Sequence, residues 1–231
     1  MFNKTKKVEN PAIKQAAAEY DSALELLNKL CMIRFPSQKE KKYQELSTCF
    51  EEILQGILLI TAIQDGTVCV EEWDFLASFT TRVNIMEYLN SELFKLKGKK
   101  QKLSLKVFQT VDDETRKEIN RLVRESLSKA AQKFYRSFAE VDYIISDIDY
   151  LREFKLHIRR IVKILCEIDG DSIENERAVD ESAAGLKAFY DIIEKYWKSY
   201  GEQDKAWRNA INSRHDKNFM DRYAEREDKE K

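Results

Sequence analysis

Apolar positions recur every three or four residues along most of this chain, the spacing that gathers them on one face of a helix. After Asn10-Pro11, a capping residue followed by the one best suited to a first helical position, they fall at Ala16, Tyr20, Ala23, Leu24, Leu27 and Leu30. Phe35-Pro36 ends that helix. Ser37-Gln-Lys-Glu40 has capping-box spacing, in which the Ser hydroxyl and the Glu carboxylate each satisfy a backbone amide, so a second helix is predicted over about 38 to 64. A third begins near Val70 and buries Trp73, Leu76 and Phe79, and a fourth runs through Met86, Leu89 and Leu93 to Gly98. The acids of Val111-Asp112-Asp113-Glu114 suit another helix start. From there the helical period continues through Ile119, Leu122, Leu127, Phe134 and Val141 to Ile148, Phe154, Ile158, Ile161 and Leu165. That stretch is too long for one ordinary helix, so a break is expected near Asp142 or Ser146. A further helix is predicted from about Ile173 to Tyr200, stopping at Gly201.

One short pattern occurs twice. An apolar run from Ile57 enters Asp65-Gly66 with Glu72 six residues after the glycine, and another from Ile161 enters Asp169-Gly170 with Glu176 at the same distance. With Asp65 laid on Asp169, five of the nineteen columns from Leu54 to Glu72 are identical. Self-similarity of this kind points to a duplicated helix-turn-helix unit. The expected fold is therefore all-α: a single bundle of about seven to nine helices over residues 1–201, with two similar helix-turn-helix units near 38–94 and 142–200 joined by a basic connector at 95–110. Residues 202–231 form a charged helical arm whose last residues are expected to fray.

Composition sharpens this picture. Both prolines lie before position 37 and only six glycines occur in 231 residues, so little interrupts helical periodicity. The formal net charge of −1 supplies no global field to draw in nucleic acid, and no nucleic-acid partner is expected. The longest apolar stretch, about Ile53 to Ile63, is far short of the roughly 20 residues of a spanning helix, and the N-terminus lacks an apolar signal core. No transmembrane segment is expected, and a cytoplasmic location follows by default. Cys31, Cys49, Cys69 and Cys166 show no CxxC spacing and sit in or beside apolar stretches, as small hydrophobes do.

Candidate chemistry begins at the Asp-Gly turns, because Asp-Gly-x5-Glu is also the second half of a calcium-binding loop. The loop's first and third ligand positions fall on Thr61 and Ile63 in one copy and on Leu165 and Glu167 in the other. A hard cation needs about six oxygens, which these loops do not supply. A positive φ at Gly66 and Gly170 to end one helix, with Glu72 and Glu176 favouring the start of the next, accounts for the residues without an ion. His157 and His215 belong to no metal-binding helix pattern, and Glu153 and His157, four apart, are placed to interact on a helix surface. No nucleophile elbow, P-loop or dinucleotide fingerprint occurs, so no catalytic residue is assigned. Six lysines and no acid lie from Lys95 to Lys106, read as a solvated connector. In the terminal arm Trp207, Ile211, Phe219 and Tyr223 share one narrow stripe and are the candidate partner-binding residues.

The run Thr61-Ala-Ile-Gln-Asp65-Gly66-Thr-Val68-Cys-Val-Glu71-Glu72-Trp73 resembles the signature turn of TerB-like tellurite-resistance domains, where an apolar helix enters Asp-Gly, a short connector and a Glu-Glu helix start. The second copy departs from it, with Asn175 in place of the first Glu. The resemblance implies a non-enzymatic helical module associated with bacterial stress or phage defence. It also implies divalent-metal binding by acids near the turns, which here are Asp65, Glu71, Glu72, Asp169 and Glu176. The functional expectation is an interaction or adaptor module with a protein partner and no resident cofactor. Its alternatives are a metal-responsive binding protein using the acidic turns and a helical enzyme whose carboxylates converge only in the fold.

Overall fold

The structure is a computed structural model that describes residues 10–78, 112–144, 150–168, 170, 173 and 176–203. These residues form seven α-helices and one 3-10 turn, with no strand among them. In chain order the helices are α1 (Pro11–Arg34), α2 (Lys39–Ala62), α3 (Val70–Ser78), α4 (Asp113–Ile144), α5 (Tyr150–Cys166), α6 (Glu176–Ser182) and α7 (Ala184–Gln203). The all-α expectation holds.

Helix α2 is the axis of the fold. From Ile53 to Ile63 every residue is buried. A helix that is apolar all round must be enclosed on all sides, and α1, α3, α4, α5 and α7 all pack against it. Four of these helices meet at one aromatic knot. Phe50 of α2 stacks on Tyr20 of α1 at 5.3 Å between ring centroids and meets Phe154 of α5 edge-on at 4.8 Å. Phe134 of α4 closes the group 4.6 Å from Phe154. Such pairs add roughly 0.5–1.5 kcal/mol each beyond the area they bury. One acid enters this core: Glu51 is 2% exposed, and its Oε1 accepts a hydrogen bond of 2.8 Å from the Tyr20 hydroxyl.

The helix starts follow local chemistry in part. Asn10 Oδ1 accepts from the Ala12 amide at 3.0 Å with Pro11 at the first helical position, as its sequence predicts. Asp112 caps α4, its two carboxylate oxygens each 2.8 Å from Thr115, one from the amide and one from the hydroxyl. The Ser37–Glu40 capping box does not form: Pro36–Gln38 make a 3-10 turn, and α2 starts at Lys39 with no side-chain cap. Proline at the first position of that turn carries the chain round before the box can close. The long periodic stretch holds α4, which reaches Ile144 past Asp142, and α5, which begins at Tyr150; Ser146 lies outside the described residues.

The predicted helix from Ile173 to Tyr200 is instead two, α6 and α7, separated at Ala183, and Gly201 lies inside α7 rather than ending it. Contact with α2 accounts for the division. The Ala184 amide donates to Gln64 Oε1 at 3.0 Å, and the Gly185 amide donates to Thr61 Oγ1 at 3.2 Å. One side chain from the last turn of α2 and one from the turn after it thus satisfy the first donors of α7, which a continuous helix would have used internally. Gly185 makes the approach feasible, because a Cβ there would stand 2.0 Å from the Ile57 carbonyl oxygen. Among the described residues no helix is long and apolar enough to cross a membrane.

Candidate functional site

The two Asp-Gly turns repeat the same backbone geometry. In the first, the Ile63, Gln64 and Gly66 amides donate to the carbonyls of Leu59, Thr61 and Ile63; in the second, those of Glu167, Ile168 and Gly170 donate to Lys163, Leu165 and Glu167. Gly66 and Gly170 hold φ of 90° and 103°, the left-handed region that glycine enters without steric cost. The first turn ends the enclosed helix α2, and the second ends the amphipathic helix α5.

At the first turn the candidate acids serve the backbone. Asp65 Oδ1 accepts from the Thr67 amide at 2.8 Å, an Asx turn that shapes the connector. Glu72 Oε2 accepts from the Cys69 amide at 2.8 Å, while Cys69 Sγ accepts from the Glu72 amide at 3.3 Å. This is a capping box with cysteine as the cap, and it opens α3. Glu71, one residue earlier, is exposed. Gln64 ties the same turn to the bundle, its carbonyl accepting from Arg116 Nη1 of α4 at 2.9 Å while its side chain caps α7.

At the second turn Asp169 lies outside the described residues, and Glu176 opens α6 with its side chain outside them. The acid that works here is Glu167, whose Oε1 accepts from the Ile173 amide at 3.0 Å. Among the described residues no group of three or more His, Cys, Asp or Glu side chains is placed to hold a metal ion. Trp207, Ile211, Phe219 and Tyr223, like the basic connector at 95–110, lie outside the described residues.

Beside the second turn, the last turns of α5 and the first turns of α1 enclose an open cleft of about 350 Å³. Arg160, Lys163, Ile164, Glu167 and Ile168 line it from α5 and the turn, and Ala12, Gln15 and Glu19 from α1. Of these, Glu19 is held by His157, whose Nδ1 lies 2.7 Å from Glu19 Oε2, with Arg160 Nη1 3.5 Å from the same oxygen. Lys163 and Glu167 form a longer pair at 3.7 Å. Glu153 stands four residues from His157 on its own helix, and the structure pairs the histidine with Glu19 of α1. Helix packing brings α1 over the histidine, and a partner approaching from outside the helix needs no i,i+4 register.

Sequence reasoning passed over the cleft residues. Their signal was present in the spacing 160, 163, 164, 167 and 168, a second helical stripe beside the buried Ile158, Ile161, Val162 and Leu165 in which charges alternate with isoleucine. Elsewhere the titratable groups serve packing. Arg159 makes a two-pronged ion pair with Asp180 at 2.9 and 2.6 Å, which joins α5 to α6. Burial, with Asp180 nearby, pushes the Tyr190 hydroxyl up to about 12. Burial likewise raises the Cys31 thiol to about 11 and lifts those of Cys49 and Cys69, so all three stay protonated at neutral pH.

No family model matches the chain, and no curated protein or solved structure matches it.

Proposed function

We propose that this chain acts by binding a protein partner, as a non-enzymatic helical adaptor in a bacterial stress or phage-defence system. The observation that carries the reading is an apolar exposed end on α1, where Met32 is 50% and Ile33 is 44% exposed. Beside them the Phe35 ring lies between two cations, with Arg34 at 5.4 Å and Lys42 at 5.5 Å from its centroid. Methionine, aromatic rings and arginine are the residues that protein interfaces enrich. The stress or defence setting rests on the resemblance of Thr61–Trp73 to a TerB-like turn. The engagement of Asp65 and Glu72 with backbone amides favours a scaffolding use of that turn.

Affinity purification from the native cell, run in parallel with the wild type and a Met32→Lys/Ile33→Lys variant, tests the reading. A partner recovered in fixed stoichiometry with the wild type and lost from a variant of unchanged melting temperature is the expected result. A wild-type chain that elutes at its own mass alone, or a partner that the variant retains, refutes it.

A further inference from the structure

We infer that the partner of the adaptor reading docks at the end of α1 through an acidic segment, with carboxylates against the cations around the patch and an apolar pair on Met32 and Ile33; this rests on that reading and adds the partner's chemistry. From Lys29 to Lys42, where α1 gives way to α2, the chain carries five cations (Lys29, Arg34, Lys39, Lys41 and Lys42) and a single acid, Glu40, in a protein of formal net charge −1. Two helix ends share this surface. Lys29 precedes Met32 and Ile33 by three and four residues, so all three lie on one exposed face of α1. From α2, Lys42 reaches over the Phe35 ring, and Lys39 and Lys42 stand near enough to Cys31 to act on its thiol.

Part of this charge is already engaged. Lys42 is 2.9 Å from Glu45, and Lys39 is 3.8 Å from Glu40, a carboxylate 83% exposed, where such a pair is weak. Lys29 and Lys41 are exposed and make no ion pair among the described residues. Their charge meets its complement only in something that docks, and a local excess of one sign steers and orients a partner of the other. An apolar centre inside a charged rim is also the anatomy of an interface between proteins. The same charges disfavour other occupants. A second copy meeting this one about a twofold axis would set the patch against itself, cation against cation. An anionic lipid surface would accept the lysines, but only Met32 and Ile33 are placed to enter it, and Glu40 would be pressed against like charge. A protein segment can place its carboxylates around Glu40 instead.

The test is fluorescence anisotropy of the full chain with a labelled amphipathic peptide of about 15 residues built from leucine and glutamate, beside the same peptide with lysine for glutamate and beside vesicles of phosphatidylcholine and phosphatidylserine. The chain is expected to bind the acidic peptide, to lose affinity severalfold as salt is raised, and to bind neither the lysine peptide nor the vesicles. Lys29→Glu/Lys41→Glu should weaken binding by about tenfold or more at an unchanged melting temperature, since neither lysine makes an ion pair in the fold. Met32→Lys/Ile33→Lys should weaken it as well, although it adds cations, because it removes the apolar anchor. No binding by the wild type, equal binding of the lysine peptide, preference for the vesicles, unchanged affinity in Lys29→Glu/Lys41→Glu, or tighter binding by Met32→Lys/Ile33→Lys overturns the proposal. Purification from the native cell separates its failure from that of the adaptor reading. A native partner lost from Met32→Lys/Ile33→Lys but kept by Lys29→Glu/Lys41→Glu removes the acidic contact and leaves the adaptor, whereas acidic-peptide binding with no native partner removes the adaptor and leaves the acidic contact.

Discussion

Replacing Gly185 with alanine probes the contact on which the second half of the bundle depends. The added methyl would stand 2.0 Å from the Ile57 carbonyl oxygen, 2.6 Å from Thr61 Oγ1 and 2.8 Å from the Ile57 carbonyl carbon. Two of these are backbone atoms in the interior of α2 and the third belongs to a short β-branched side chain, so α7 must move. Overpacking of this kind costs about 1–3 kcal/mol. Displacement also stretches the buried bond from the Gly185 amide to Thr61 and the exposed one from the Ala184 amide to Gln64, together about 1–2 kcal/mol. The gain in helix propensity from alanine returns under about 1 kcal/mol. The net expectation is a loss of roughly 2–4 kcal/mol. In urea the midpoint should fall with an unchanged slope, and the melting temperature should drop by about 2–4 °C per kcal/mol for a chain of this size. Gly170→Ala is the control: its Cβ meets nothing within 4 Å, so only the strain of φ +103° remains, about 1–2 kcal/mol. A Gly185→Ala protein as stable as the wild type, or no less stable than Gly170→Ala, would show that α7 does not seat against α2 in this way.

Three further outcomes follow from named contacts. Glu72→Ala should weaken the start of α3 by about 1 kcal/mol, seen as faster amide exchange over residues 69–78, whereas Cys69→Ser, which keeps a cap acceptor, should preserve protection; equal exchange in Glu72→Ala and wild type contradicts the capping box. A double-mutant cycle on Glu19→Ala and His157→Ala should give a coupling of about 0.5–1.5 kcal/mol, and additive losses would remove the pair from the α1–α5 contact. Hydrogen bonds from Lys133 and Lys42 hold the Glu45 carboxyl at about 2 against an ordinary 4.5. Because the folded value is the lower, this pair's stabilisation is complete above pH 4.5 and is lost as pH falls towards 2. Glu45→Gln should flatten the stability curve in that window; Glu52, whose carboxyl burial raises, titrates in both proteins, so the difference between them isolates Glu45.

Much of the fold was legible because its signals are local. Asn10-Pro11, the acids at 112 to 114 and the two glycines each act within a turn of chain, and the structure realises each where its residues predict. The Ser37–Glu40 box was legible and wrong, because Pro36 took the same residues into a 3-10 turn first. Cys69 was read as a small hydrophobe, yet it is a cap, since a thiol gives a weak acceptor signal that only the Glu72 partner completes. The cleft was hidden for a different cause. Charges on a helix normally mean a solvated face, and nothing in the α5 sequence says that α1 lies across Arg160 and Lys163.

By itself the sequence determined an all-helical chain and the glycine-ended turns that follow α2 and α5, because periodicity, glycine and capping chemistry act over a few neighbouring residues. Tertiary structure decided that Glu19 meets His157 across 138 positions, and that Thr61 and Gln64 cap a helix 124 and 120 positions away. Those pairings depend on the register in which one helix lies on another. Register is set by the joint packing of all the faces around α2, a property that no single stretch of chain carries.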